Sequence, residues 1–244
     1  MSNPAPSGYD TYTSPLAARN ASPEMLKIWS PRHKFNTWRR IWLAIAEAQH
    51  EVTKGWDTPL VSQEQVEELR AVVERGITDE ELARASDIER DLRHDVMAHV
   101  HCLGESCPTA KPIIHLGCTS QDVACNADLA LLDESVRLIL DKARMLLAAS
   151  HPTIDAHKGV PCLGFTHYQS AQPSTVGRRI AGWMNDLSLS LGSLNEVSNV
   201  VGQFPYEYST LKRGLRGATG TQASFLNLFD GDTDLVDAFE LEFI

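Results

Sequence analysis

The chain has 244 residues, 43% of them hydrophobic and 22% charged, with a formal net charge of -10. That length buries a substantial core as one large domain or two smaller ones. The acidic balance argues against a nucleic-acid surface as the main function, and no apolar run reaches the roughly 20 residues that cross a bilayer. Five cysteines, an odd number in the middle of the chain, read as reduced thiols in a cytoplasmic setting.

Residues 1–25 are rich in Ser, Pro, Ala and Asn; they predict an extended arm with no apolar leader. Ser30 and Pro31 mark a helix start, and Phe35, Trp38, Ile41, Trp42, Ile45 and Val52 recur at helical spacing up to Gly55. Ser62 with Gln65 forms a capping-box pattern that closes at Gly76. Thr78 with Glu81 opens a third segment, "TDEELARASDIERDLRHDVMAHVHCLG", read here as helical throughout.

From residue 113 the texture changes. "KPIIHLG" is the one short strand candidate. Ser120 and Asp122 suit the start of a helix, with Ser120 as cap. From Val123 to about Ala149 there is neither Gly nor Pro, and apolar residues lie on several faces, the mark of a helix buried on more than one side. Pro152 is expected to end or bend it, and "KGVPCLGFTHYQSAQ" to form an irregular connection. A second long helix follows Pro173, with Val176, Ile180, Trp183, Leu187, Leu191, Leu194 and Val201 in step. The expectation is an all-α fold: a small N-terminal helical domain with its arm over 1–112, then long helices of an oligomeric bundle over 113–244. The ending "DTDLVDAFELEFI" reads as helix, with the acids of "DGDTD" at its start.

Several clusters have residue types suited to chemistry. In "RHDVMAHVHC" a helical reading puts His94 and His101 on one face and His99 off it. The two-histidine metal spacing and paired CxxC are absent, so no metal site is expected, and His99 and His101 read as packing or helix-face residues. Arg93, His94 and Asp95 together suit an anionic ligand, or equally a solvated charged turn. Thr119 and Ser120 stand where a glycine turn meets a helix start, a good carboxylate or phosphate receptor or an ordinary cap. Gly214, Gly217 and Gly220 make a loop with Thr221, Gln222 and Ser224, without a phosphate-loop or dinucleotide pattern. His167 lies among Thr166, Tyr168, Gln169 and Ser170. Held by such a loop, a histidine serves as general acid or base, or only caps a helix.

Four of these segments, "RHDVMAHVH", "IIHLGCTSQDV", "LGFTHYQSAQPSTVGRR" and "RGATGTQASF", in this order, resemble the adenylosuccinate lyase family of the fumarase/aspartase superfamily. "SPLAARNASPEM" resembles the start of its animal and fungal members. The resemblance implies a homotetramer with composite active sites and no cofactor. The implied reaction releases fumarate from adenylosuccinate and from the succinylated carboxamide ribotide SAICAR. By position it makes His167 the general acid, His94 a partner near the substrate phosphate with Arg93 and Asp95, and Thr119 and Ser120 receivers of a succinyl carboxylate. Thr166 and Gln222 become further substrate contacts, and Arg19 a phosphate contact. Asn20, Cys125 and Ser170 depart from the family's usual tyrosine, aspartate and proline. The family's Ser-Ser-x-Met-Pro-x-Lys-x-Asn-Pro loop, with its base serine, does not occur in the 244 residues. That loop and the final helical domain are expected beyond residue 244, so little turnover is expected of the chain by itself. A ligand-binding assembly without catalysis, or another fumarate-releasing lyase, is the alternative.

Overall fold

The computed structural model describes residues 7–200 and 213–243. Val201, counted above into the second long helix, lies outside them. The elements are helices apart from a 3-10 turn and one antiparallel hairpin. Described residues up to 132, together with 213–243, form one compact unit; residues 133–200 belong to another.

In the first unit, α1 (Ala17–Asn20) and α2 (Pro23–Ile28) follow the arm. Arg32 ties the arm down: its guanidinium meets Asp10, Asp79 and the Ile77 carbonyl, and its backbone N–H donates to Tyr9 O at 3.0 Å. Ser30 caps α3 (Pro31–Thr53), accepting from the His33 N–H, with Pro31 at the first helical position. The capping box predicted for α4 (Gln63–Arg75) is complete in both directions, and the helix start at Thr78 and Glu81 forms a second one.

One predicted helix is two. α5 (Asp79–Leu92) stops at Arg93, which is left-handed at φ 56°, and α6 (Asp95–Ser106) starts anew with His94 as its cap. Arg93 N–H still reaches Glu89 O at 2.8 Å, so the break costs little hydrogen bonding. The strand expected at residues 111–117 is instead a 3-10 turn, Lys111–Ile113. Pro112 explains this, since it presets a turn dihedral and cannot donate to a ladder.

α3 carries the core of this unit on two faces. Trp38, Trp42 and Ala46 pack with Val66, Leu69, Val96, Leu103 and Val123. Ile45 and Ala48 pack with Phe225 of α9 (Ala223–Leu228) and with Phe239 and Phe243 of α10 (Thr233–Phe243). Removing each of the larger of these side chains from water contributes roughly 2 kcal/mol. The Asp232 carboxylate accepts from the backbone N–H groups of Asp234 and Leu235, the helix-starting role read from "DGDTD".

α7 (Ser120–His157) contributes its first part to this unit and its remainder to the second. Pro152 does not end it; the helix runs on to His157. Ala148, whose carbonyl loses its partner to the proline, is exposed and water can satisfy it. The connection predicted as irregular is a hairpin of β1 (Pro161–Thr166) and β2 (Gln169–Thr175), followed by α8 (Val176–Val200). The register pairs Phe165 with Ser170 and Thr166 with Gln169, with an irregularity at Gly164. A Cβ on Gly164 would lie 2.8 Å from the Gln172 carbonyl, so the bulge requires glycine. Pro173 sits opposite Leu163 in a two-stranded sheet, where its missing donor is tolerated.

Candidate functional site

The residues that look polar and unrelated in the sequence converge in the first unit at the N-terminus of α7. Asp122 is the anchor. Its side chain is fully buried, and its carboxylate accepts from the backbone N–H groups of Thr119 (3.0 Å), Arg216 (2.9 Å) and Gly217 (3.0 Å). The Arg213 guanidinium approaches at 3.5 Å. Asn126, one turn later, accepts from Arg213 N–H at 2.8 Å and donates to the Gly214 carbonyl at 3.2 Å. Burying a carboxylate is costly unless donors surround it; here they stitch the glycine loop onto the helix start.

Asp122 also changes the role of Ser120. α7 begins at Ser120, so this serine is its first helical residue and not the cap the sequence suggested. Thr119 holds the cap position, with its N–H given to the Asp122 side chain. The Ser120 hydroxyl instead lies 3.2 Å from His94 Nε2.

His94 is bound at both ring nitrogens. As the N-cap of α6 it accepts from Met97 N–H at Nδ1, 3.3 Å away. A nitrogen that accepts carries no proton, so the neutral ring is the Nε2–H tautomer and donates to Ser120. Histidine is an uncommon cap; the geometry trades cap quality for a ring aimed at Ser120. Because His94 lies before the helix, it does not share a face with His101, contrary to the continuous-helix reading. His101 is exposed, while His99 is 5% exposed and stacks on Phe35 at 3.8 Å. Burial first, then the Arg39 charge, pushes His99 down to about 4.

The flanking pair is exposed. Asp95 Oδ1 accepts from Val96 N–H at 2.7 Å and lies 3.8 Å from His94 Nδ1. Arg93 lines a shallow depression with Ser86, Glu89 and Arg90. Arg19 is exposed at the end of α1, and no bond joins it to the other candidates among the described residues.

Gln222 enters from the glycine loop. Gly214, Gly217 and Gly220 all have positive φ, between 67° and 76°, as that loop's composition suggested. Gln222 is itself left-handed, and its Nε2 donates to Leu215 O at 3.2 Å and Glu240 Oε2 at 2.9 Å. Ser224 closes the neighbourhood by donating to Gly117 O at 2.6 Å.

Sequence reading missed three residues here. His115, left-handed at φ 70°, accepts from Trp42 Nε1 at 3.1 Å, and burial lowers its pKa despite Asp122 nearby. Asn126 and Glu240 complete the loop's attachment. Positive φ and long-range bonds leave little trace in a sequence; the acid in the first turn of α7 was the one usable signal.

His167 and Thr166 belong to the second unit. His167 (φ 49°) and Tyr168 (φ 61°) form the two-residue tip of the hairpin, in the left-handed pair of dihedrals of a type I′ turn. Both are exposed. Non-glycine residues in that region are strained by about 1 kcal/mol each. Of the departures, Asn20 is exposed, Cys125 donates to Gln121 Oε1 at 2.9 Å, and Ser170 is an exposed strand residue. Among the described residues no three His, Cys, Asp or Glu side chains come together to hold a metal, and no helix is long and apolar enough to cross a membrane.

With this geometry in place, the chain can be compared with known proteins. The adenylosuccinate lyase of Saccharomyces cerevisiae is 42% identical over 232 residues, 95% of this chain and 45% of that protein. The adenylosuccinate lyase of Schistosoma mansoni is 40% identical, over 92% of this chain and 43% of that protein. The chain spans about half the length of the curated relatives it matches. Two solved structures share the fold at a TM-score of 0.73: a fumarate lyase from Mesorhizobium sp. BNC1, 20% identical over 90% of this chain and 47% of that one, and the 3-carboxy-cis,cis-muconate lactonizing enzyme of Pseudomonas putida, 22% identical over 94% and 48%. A family model described as a lyase matches residues 17–212, most of the chain. His94, Thr119 and Ser120 fall within that match, and the chain belongs to this lyase family.

Proposed function

We propose that this chain carries the acid side and part of the substrate cradle of an adenylosuccinate lyase. The observation that carries the reading is the His94 Nε2–Ser120 Oγ contact at 3.2 Å. It brings two of the resembling segments together where Asp122 holds Thr119 and the glycine loop. A base removes the proton beside a succinyl carboxylate, the carbon–nitrogen bond breaks, and an acid protonates the departing nitrogen. Adenylosuccinate then yields AMP and fumarate, and SAICAR its carboxamide product and fumarate.

In this reading His167 is the acid, and its strained hairpin tip is a way of presenting an imidazole without burying it. Thr119 and Ser120 receive a succinyl carboxylate with the backbone donors of a helix start. Thr166 and Gln222 make further contacts, and Arg19, Arg93, His94 and Asp95 serve the phosphate end. The base comes from the family's serine loop, which the 244 residues do not contain.

The same reading makes the protein a cytoplasmic homotetramer, with an N-terminal helical domain to residue 112 and the first part of a bundle domain after it. Exposed apolar side chains on the long helices support the assembly: Met145 is 71% exposed, Trp183 61% and Leu189 66%. Shared sites would then unite residues of different copies.

Calorimetry with adenylosuccinate, alongside its turnover, tests the function. The 244-residue chain is expected to bind it with very little turnover. In a protein that also carries the serine loop, His167→Ala should lower kcat with KM nearly unchanged. Absence of binding by the chain would overturn the reading; a raised KM with intact kcat would make His167 a binding residue.

A further inference from the structure

The polar side of α10 offers a residue that no resemblance assigned. Glu240 is 14% exposed, and its carboxylate faces the glycine loop. Oε2 accepts from Gln222 Nε2 at 2.9 Å and from Arg216 Nη1 at 3.0 Å. Oε1 is buried and meets no hydrogen-bond donor. A Cβ at Gly214 would come within 2.2 Å of Oε1, so glycine there makes room for the carboxylate.

The arrangement settles which way the Gln222 amide is turned. Its two partners, the Leu215 carbonyl and the Glu240 carboxylate, are both pure acceptors. Only the NH2 end can face them, and both of its hydrogens are used. The carbonyl oxygen is therefore the end left for a ligand, since among the described residues it accepts from none. Reversing the amide would set an oxygen against two oxygens, one of them charged.

We propose that Glu240 is a positioning residue that locks Gln222 with its carbonyl oxygen outward, so that Gln222 reads a hydrogen-bond donor on the substrate, an N–H, and not a carboxylate. This rests on the lyase reading above, in which Gln222 touches substrate. The N–H beside the succinyl carbon of adenylosuccinate is a group of that chemistry. What Glu240 supplies is an acceptor oxygen facing the Gln222 NH2. Glu240 acts only through Gln222 and the loop.

Adenylosuccinate affinity of the 244-residue chain, its Glu240→Ala, Gln222→Ala and doubly substituted forms, and Glu240→Gln, gives one arm of the test. Each alanine variant should weaken binding roughly tenfold, and the double variant should be no weaker than Gln222→Ala. Glu240→Gln keeps an acceptor and should stay within about threefold of the parent. Unchanged affinity in Glu240→Ala, or losses that add in the double variant, overturns the proposal. Ligand-free crystal structures form the second arm. Gln222 should leave Leu215 in Glu240→Ala, and in Gln222→Glu the new carboxylate should swing away from Glu240; side chains that stay in place overturn the proposal whether or not adenylosuccinate binds. The Gln222→Glu form keeps Glu240 and Arg216, so it serves if Glu240→Ala does not fold. A parent that binds no adenylosuccinate while Gln222 moves as expected counts against the lyase reading and leaves the lock supported.

Discussion

His94 and His99 lie on one short helix and its cap, yet their environments separate them. His94 is exposed and held at both nitrogens, with its proton placed on Nε2 by the Met97 N–H at the other side of the ring. His99 is sealed between Phe35 and Trp38, where a charged ring would lose its water. Its folded value of about 4 lies below the ordinary 6.5. Protons therefore bind the unfolded chain first as pH falls through that interval, and stability drops there; above it the residue has no such effect. Urea unfolding of His99→Gln should show a flatter decline between pH 6.5 and 5 than the parent, with some slope left by His115, which is shifted the same way. An identical decline would place the acid sensitivity elsewhere. The sequence reading of His99 as packing came from the absence of metal spacing. The tautomer of His94 could not be read at all, because it depends on a helix break that begins at a left-handed arginine.

At the level of elements, the start of α7 and the glycine loop form one device. Residues nearly a hundred positions apart are joined because one buried carboxylate needs several donors and the loop supplies them. Asp122→Asn replaces an acceptor oxygen with a donor facing backbone N–H groups. It should cost roughly 3 kcal/mol of stability and speed hydrogen exchange at Arg216 and Gly217 before it affects α4 or α5. Uniform exchange across the unit would show that Asp122 serves global packing only. Capping boxes, Pro31 and the helical spacing of α3 were legible because each is a local signal, complete within a turn or two of chain. The hairpin was not. Its turn is His167–Tyr168 in place of an Asn-Gly pair, and its strands hold Gly164 and Pro173, so neither alternation nor turn chemistry marks it. Only pairing across the turn makes those residues strands.

For the molecule as a whole, the long helices carry large apolar side chains that the described residues leave exposed. Trp183, at 61% exposure, is a large ring left in water on a helix otherwise patterned for packing. Sedimentation equilibrium of the chain should give a mass above that of the monomer, and Trp183→Glu should shift it downward without loss of helicity. A monomeric parent would remove the support for assembly. The sequence by itself determined the helical class, the caps, the core face of α3 and, through four ordered segments, the resemblance to a lyase family. Those signals are local or linear, and composition and spacing preserve them. The tertiary structure decided which polar residues act together: Ser120 with His94, Asp122 with the glycine loop, Glu240 with Gln222. Such pairings depend on where buried charges find donors across distant parts of the chain, and that is settled only when the chain has folded.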